Sequence, residues 1–266
     1  MSAAQSGELA TELFELPGGG LATFTGRAQG NMSSVGGEGA EHGLEARERL
    51  RKTLGVRRLV RGYQVHGTVV GRVLADGARA GLDSGERPAH PHVEVQAPVA
   101  GQQVDAFERE DSASQPAFEA DGHAIAAPGL AAMVLTADCV PVVLGAQGAV
   151  AALHAGWRGL AGGVLEEGVR ALREVGGRGD VVAVVGPCAG ACCYEVGGEV
   201  HSAFAGAHRD GGTIDLRAIA HEKLLEAGVG QVFDFEACTI CDERFFSHRR
   251  EGLRAGRQAG LAWIAQ

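Results

Sequence analysis

Apolar positions along the 266 residues fall into short runs separated by glycine-rich breaks, and their spacing changes period several times. "GLATFTGRA" (20–28) predicts a short strand, and "GLEARERLRKTLGV" (43–56) a helix closed by Gly55. "RLVRGYQVHGTVVGRVL" (58–74) alternates as a strand does, with His66 and Gly67 interrupting it at a bend. Three apolar runs follow at 130–135, 140–144 and 149–153, broken by Ala137-Asp138-Cys139 and by Gly145 to Gly148. They predict adjoining strands buried on both faces, with Cys139 and His154 at strand ends. Leu160, Val164, Leu165, Val169 and Leu172 keep helical spacing, so 160–175 is expected to be one amphipathic helix. Beyond it come a buried strand "VVAVVGP" (181–187), a helix at 216–227, a strand near 231–235 and a last strand "GLAWIA".

Between about 75 and 118 the pattern is lost in Gly, Pro, Ser and charge, with one candidate strand at "HVEVQAPV". Long stretches of this kind are usually mobile or functional insertions, so the expectation is one domain over 1–266 carrying a mobile flap there.

Composition narrows the picture. Hydrophobic residues make up 45% of the chain and aromatics only 5%, so the interior must be built from Ala, Val and Leu. A net charge of -9 provides no basic footprint for general binding to nucleic acid or to an anionic membrane. No apolar run approaches the roughly 20 residues that span a bilayer, and "MSAAQSGELATELFEL" is acidic where a signal peptide is basic, so a cytoplasmic location is expected. In such a reducing compartment Cys139, Cys188, Cys192, Cys193, Cys238 and Cys241 are free, metal-binding or catalytic rather than bridged. Cys238 and Cys241 form one C-x-x-C pair, whereas a structural zinc site prefers two, so this pair carries little weight.

A histidine at the end of a buried strand, as in "ALHAGWRGL", is ordinarily a hydrogen-bonded core residue. Two neighbours change that reading of His154: Cys139 at another strand end and His66 at a bend. One soft thiolate and two imidazoles suit Zn²⁺, and three protein ligands leave a fourth position open. The same residue types, Cys139 with His154 and Asp138, also fit a Cys–His hydrolase in which the imidazole withdraws the thiol proton. Arg158 stands at a Gly-flanked helix start, where backbone N–H groups favour a phosphate or carboxylate. "FFSHRREGLRAGRQ", with His248, Arg249, Arg250, Arg254 and Arg257, reads equally as a solvated basic turn and as an anion-binding or interface segment.

Five blocks in order, "QVHG" (64–67), "TADCVPVVL" (136–144), "HAGWRGL" (154–160), "CCYEVGGEV" (192–200) and "FFSHRREG" (245–252), resemble the YfiH/YlmD-like laccase-domain family. Its members, formerly labelled multicopper polyphenol oxidases, are regarded as zinc-dependent purine nucleoside phosphorylases. The resemblance implies an α/β (α+β) fold, a four-layered αββα sandwich of mixed sheets. It implies zinc on His66, Cys139 and His154, and substrate or phosphate contacts from Arg158, Arg250, Arg27 of "FTGR" and Gln64 of "QVHG". The segment after "FTGR" is shorter than is usual in the family, and the link from "QVHG" to Glu119–Gly122 is longer.

The implied reaction is phosphorolysis of adenosine, inosine and S-methyl-5'-thioadenosine to free base and (methylthio)ribose 1-phosphate, by a monomer or homodimer. Adenosine deamination is the implied second activity, with water activated at the metal and Asp138 moving protons or supporting a ligand. Two enzymatic alternatives remain: an amidase acting on a peptidoglycan precursor, and the older copper oxidase of phenols. A laccase needs several copper centres fed by paired histidines, and among ten histidines the one His-x-His pair is "HPH" at 90–92. A non-enzymatic module with a structural metal fits poorly, because structural sites are normally closed.

Overall fold

Strands buried on both faces need a layer on each side, and the chain supplies two sheets and their covering helices. The computed structural model describes residues 12–74 and 118–265. The expected flap, with its candidate strand and "HPH" at 90–92, lies outside the described residues except for Phe118.

One sheet has the order β1 (Leu13–Leu16), β2 (Gly20–Phe24), β13 (Gln258–Ile264), β6 (Leu130–Thr136), β3 (Arg58–Val60), antiparallel except for the β3–β6 pair. The other runs β12 (Gln231–Asp234), β9 (Arg178–Val185), β7 (Val140–Gln147), β8 (Ala149–Ala155), β5 (Gly122–Ile125), β4 (Val70–Val73), with parallel outer pairs and antiparallel inner ones. A two-stranded ribbon joins β10 (Arg209–Asp210) to β11 (Thr213–Ile214).

Side-chain alternation explains the stacking. In β7 and β8, Val143, Val150 and Ala152 enter a core shared with Phe24, Val60 and Val134 of the facing sheet. Val142, Leu144, Ala151 and Leu153 point the other way, against the helices Val164–Glu174 and Leu216–Glu226, through Leu165, Leu172, Ile219 and Leu224. The helix Gly43–Leu54 covers the remaining face, packing Ala46 and Leu50 on Met133, Leu261 and Trp263. The layers are helix, sheet, sheet, helix, in one domain, as expected. No helix among the described residues is long and apolar enough to cross a membrane.

Three expectations need correction. The run 130–135 does not adjoin 140–144: β6 lies in the first sheet and β7 in the second, so the chain changes sheet at 137–139. The segment 58–74 likewise splits into β3 and β4, in different sheets, with residues 61–69 crossing between them. A strand buried on both faces has the same apolar signature in either sheet, so periodicity cannot reveal the change. The expected helix 160–175 is two helices, Trp157–Gly162 and Val164–Glu174, because Gly163 between them adopts φ 97°. That backbone conformation is strained for any residue with a Cβ.

Gly163→Ala should therefore cost about 1–2 kcal/mol, read as a lower urea midpoint with an unchanged slope. An unshifted midpoint would show that the break between the helices does not depend on glycine.

Candidate metal centre

Both sheet-changing segments end at the same place. The 61–69 segment carries His66 and the 137–139 segment carries Cys139, while the antiparallel β7–β8 pair sets Pro141 opposite His154. One ligand-capable atom from each of His66, Cys139 and His154 lies within 4.8 Å of the others. Cys139 Sγ is 3.7 Å from His66 Nε2, and the two imidazole rings meet edge to face at 4.7 Å between centroids. His154 is buried, Cys139 partly so, and His66 is exposed, so the cluster opens on the His66 side.

Asp121, fully buried at the entry to β5, organises this cluster. Its carboxylate accepts hydrogen bonds from the backbone N–H groups of Val65 (3.2 Å), His66 (2.9 Å) and Gly67 (2.8 Å). It also lies 2.7 Å from His154 Nδ1. With Nδ1 thus engaged, Nε2 is the nitrogen left for a metal, the arrangement in which a carboxylate orients a ligating histidine. His66 has φ 60°, an uncommon left-handed conformation that the Asp121 contacts to three successive amides hold in place. Gly156 is required by the close approach of these rings: a Cβ there would sit 2.5 Å from His66 Cδ2 and 3.3 Å from Cys139 Sγ.

The electrostatics couple the Cys139 thiol to the His154 imidazole as a thiolate–imidazolium pair, and a metal would take the place of the shared proton. Burial raises the Cys139 thiol, but the charge and hydrogen bond of His154, with His66, outweigh it and bring it to about 6. Burial lowers His154, but Cys139 and Asp121 together raise it to about 9. Burial likewise raises Asp121, and the bonds from His154 and the amides overcome that, holding it below the usual carboxylate range. A thiolate and two imidazoles converging on one open point fit a zinc-type ion with three protein ligands. They also provide the parts of a Cys–His pair.

Other expected residues are placed differently. Asp138, which has φ 91°, does not reach the imidazoles: Thr239 donates to its Oδ1 at 2.6 Å and the Arg249 N–H to its Oδ2 at 2.7 Å. Its carboxylate supports the loop beside Cys139. Gln64 is a backbone clamp, donating to the Leu135 carbonyl at 2.7 Å and accepting from its N–H at 2.8 Å. Arg250 is turned inward, donating to the carbonyls of Thr239, Ile240 and Phe245 and pairing with Glu251. Arg27 pairs with the same Glu251, donates to the Phe245 carbonyl and lies over the Phe246 ring. Donors of all three are engaged within the fold. Arg158 differs: it is exposed, lies 4.2 Å over the Trp157 ring, and makes no hydrogen bond or ion pair with any other described residue. Reading the sequence missed Asp121, whose signal is a lone carboxylate at the entry to an otherwise apolar strand. It also missed Tyr194, which lies beneath the Arg249 guanidinium at 5.1 Å.

The depressed Asp121 pKa carries a sign. A carboxyl with a folded value below its unfolded one contributes stability that is full above about pH 4 and is lost as pH falls through the folded value. Asp121→Asn should lower stability near neutrality by about 3–5 kcal/mol, by unpairing His154 and the 65–67 amides, and should flatten the acid limb of a denaturation series. An acid limb as steep as that of the parent would remove Asp121 from this role.

Known proteins give this geometry its context. The family described as "Multi-copper polyphenol oxidoreductase laccase" matches residues 18–265. A purine nucleoside phosphorylase of Xylella fastidiosa (strain Temecula1) is 43% identical over 163 residues, covering 54% of this chain and 61% of that protein. The purine nucleoside phosphorylase YfiH of Escherichia coli K12 is 39% identical over 150 residues, covering 52% of this chain and 60% of the relative. The chain thus spans about 60% of the length of these curated relatives. A crystal structure from Neisseria meningitidis superposes with a TM-score of 0.71 at 28% identity over 97% of this chain and 100% of that one. YlmD from Geobacillus stearothermophilus gives 0.69 at 26% identity over 93% of each chain. With the family match running through nearly the whole described fold and its metal-capable cluster, the chain belongs to the multi-copper polyphenol oxidoreductase laccase family of YfiH-like proteins.

Proposed function

We propose that this protein is a zinc-dependent purine nucleoside phosphorylase. It takes adenosine, inosine and S-methyl-5'-thioadenosine with phosphate to free base and (methylthio)ribose 1-phosphate, and deaminates adenosine as a second activity. The observation that carries the reading is the cluster of His66, Cys139 and His154, open on the His66 side. Relatives named purine nucleoside phosphorylases, at about 40% identity, supply the substrate class.

His66, Cys139 and His154 would hold the zinc, with Asp121 fixing the His154 ring. When bound, the ion supplies Lewis-acid polarisation of the reacting substrate. In phosphorolysis a phosphate oxygen bonds to the anomeric carbon as the bond from that carbon to the purine nitrogen breaks. Arg158 is suited to the anion, because its guanidinium is exposed and ion-pairs with no other described residue. Its stacking on Trp157 holds the planar group in one orientation, which a flexible lysine would not reproduce. Tyr194 and Arg249 form a neighbouring wall, tied to the Cys139 loop through the Arg249 N–H bond to Asp138.

The deciding experiment follows adenosine consumption by metal-analysed protein, with and without phosphate, measuring adenine, inosine and hypoxanthine. Phosphate-dependent adenine release, lost together with zinc in Cys139→Ala, is expected. Phosphorolysis surviving intact in His66→Ala would sink the zinc reading. Arg158→Ala should lower kcat/KM for phosphate roughly 10- to 100-fold, the equivalent of about 1.5–3 kcal/mol for a lost charge-assisted hydrogen bond. Arg250→Ala should instead lower the Tm, since its guanidinium holds three carbonyls and Glu251.

A further inference from the structure

Four cysteines outside this centre meet at a second point. Cys192 and Cys193 lie on the segment after β9, Cys238 and Cys241 on the turn after β12, and a parallel bridge between Cys188 and Cys238 joins the two segments. The Sγ atoms of Cys192, Cys193, Cys238 and Cys241 all lie within 4.8 Å of one another. The separations are 2.9 Å for Cys193–Cys241 and 3.5 Å for both Cys192–Cys241 and Cys192–Cys193. Cys188 is apart from the group: it is buried, with its sulfur 3.6 Å from an Arg217 nitrogen.

We propose that Cys192, Cys193, Cys238 and Cys241 bind one zinc ion as a closed tetrathiolate, a second metal site that fastens the wall of the first. Zinc–sulfur bonds of about 2.3 Å in tetrahedral array put the sulfurs roughly 3.8 Å apart, so a small outward movement seats the ion. An iron–sulfur cluster bonds its thiolates to different irons and spreads them farther than this group. The C-x-x-C turn is also bonded to the segment that carries Cys192 and Cys193. Cys238 Sγ accepts from the Gly190 N–H at 3.2 Å, which ties the two segments together at this sulfur. Four sulfurs from two separate segments converge on one point, the donor set of a closed structural zinc site.

Both sulfur-bearing segments grip the residue next to Cys139. Thr239, inside the C-x-x-C turn, donates to Asp138 Oδ1 at 2.6 Å, and the Ala189 N–H donates to the Asp138 carbonyl at 2.9 Å. Cys193 also precedes Tyr194, which backs Arg249. An ion at the four sulfurs therefore fixes Asp138 and Tyr194 without touching substrate. This inference stands independently of the phosphorylase reading.

The test measures zinc per chain on full-length protein purified with reductant and without chelator, followed by the absorption of Co²⁺-exchanged protein. The parent should hold two ions, and both Cys139→Ala and the double variant Cys238→Ser/Cys241→Ser should hold one. Cobalt in Cys139→Ala should show the intense sulfur-to-metal charge-transfer band of four thiolates, and cobalt in the double variant should lack it. One ion in the parent, removed by Cys139→Ala, overturns the proposal. So does a Cys193–Cys241 disulfide found by peptide mapping of metal-loaded protein. If the double variant does not fold, the parent and Cys139→Ala ratios decide alone. Loss of zinc from the first centre alone would count against the enzymatic reading and leave this site standing.

Discussion

The arrangement around the first centre depends on one buried carboxylate. Removing Asp121 from water is costly, of the order of several kcal/mol, and among the described residues the side chain that pairs with it is the imidazole of His154. The cost is offset because its oxygens meet three backbone N–H groups and His154 Nδ1 at 2.7–3.2 Å. One group therefore does two things at once. It fixes which nitrogen of His154 faces Cys139, and it holds His66 in a backbone conformation that an isolated chain would leave. The two imidazoles come from distant sequence positions, yet a single side chain sets the distance between them.

The fold makes that economy possible by changing sheets at the site. Residues 61–69 and 137–139 each leave the β1–β2–β13–β6–β3 sheet and enter the other, so backbone that would otherwise lie in a ladder is free to bend. The bends expose amides, and buried amides need partners. Asp121 answers those of 65–67, Gln64 pairs with Leu135 of β6, and Asp138 takes the Arg249 N–H. Two of the left-handed non-glycine residues, His66 and Asp138, fall in these crossings, where surrounding bonds over-determine the backbone. Strain is thus concentrated where ligands must project from irregular chain, while β7 and β8 behind them remain regular.

Much of the fold was legible because periodicity and punctuation are local. Helix 43–54 with Gly55, the β9 run and the last strand follow directly from apolar spacing. What escaped was non-local: which sheet a doubly buried run belongs to, and whether helical spacing continues across a glycine such as Gly163. The same division holds at the sites. His66, Cys139 and His154 stood out by residue type and by position at strand ends, and the structure brings them together. Asp121 is a common residue in an unremarkable position until the β5–β8 pairing sets it beside His154. The partners of the arginines were hidden for a related reason. Arg27 and Arg250 lie in motifs that look ligand-directed, but Glu251 and a ring of carbonyls absorb their donors. The paired sulfurs 192/193 and 238/241 are separated by a helix, a ribbon, another helix and β12, so no local spacing announces their meeting.

Cys139, His154 and Asp121 also have the order of a thiol, an imidazole and an orienting carboxylate, the constellation of a covalent hydrolase. Thiolate character at Cys139 suits either chemistry and does not discriminate. His66 does. A nucleophilic thiol needs one base, already present in His154, and gains nothing from a second imidazole whose Nε2 stands 3.7 Å from its sulfur. That second imidazole is held in a left-handed backbone, anchored by three amide bonds to a buried charge, with Gly156 kept small to admit its ring. Strain and close packing maintained for a group without a role in covalent catalysis are accounted for when that group is a ligand. The geometry of His66, rather than the ionisation of Cys139, is what favours a metal centre over a nucleophile.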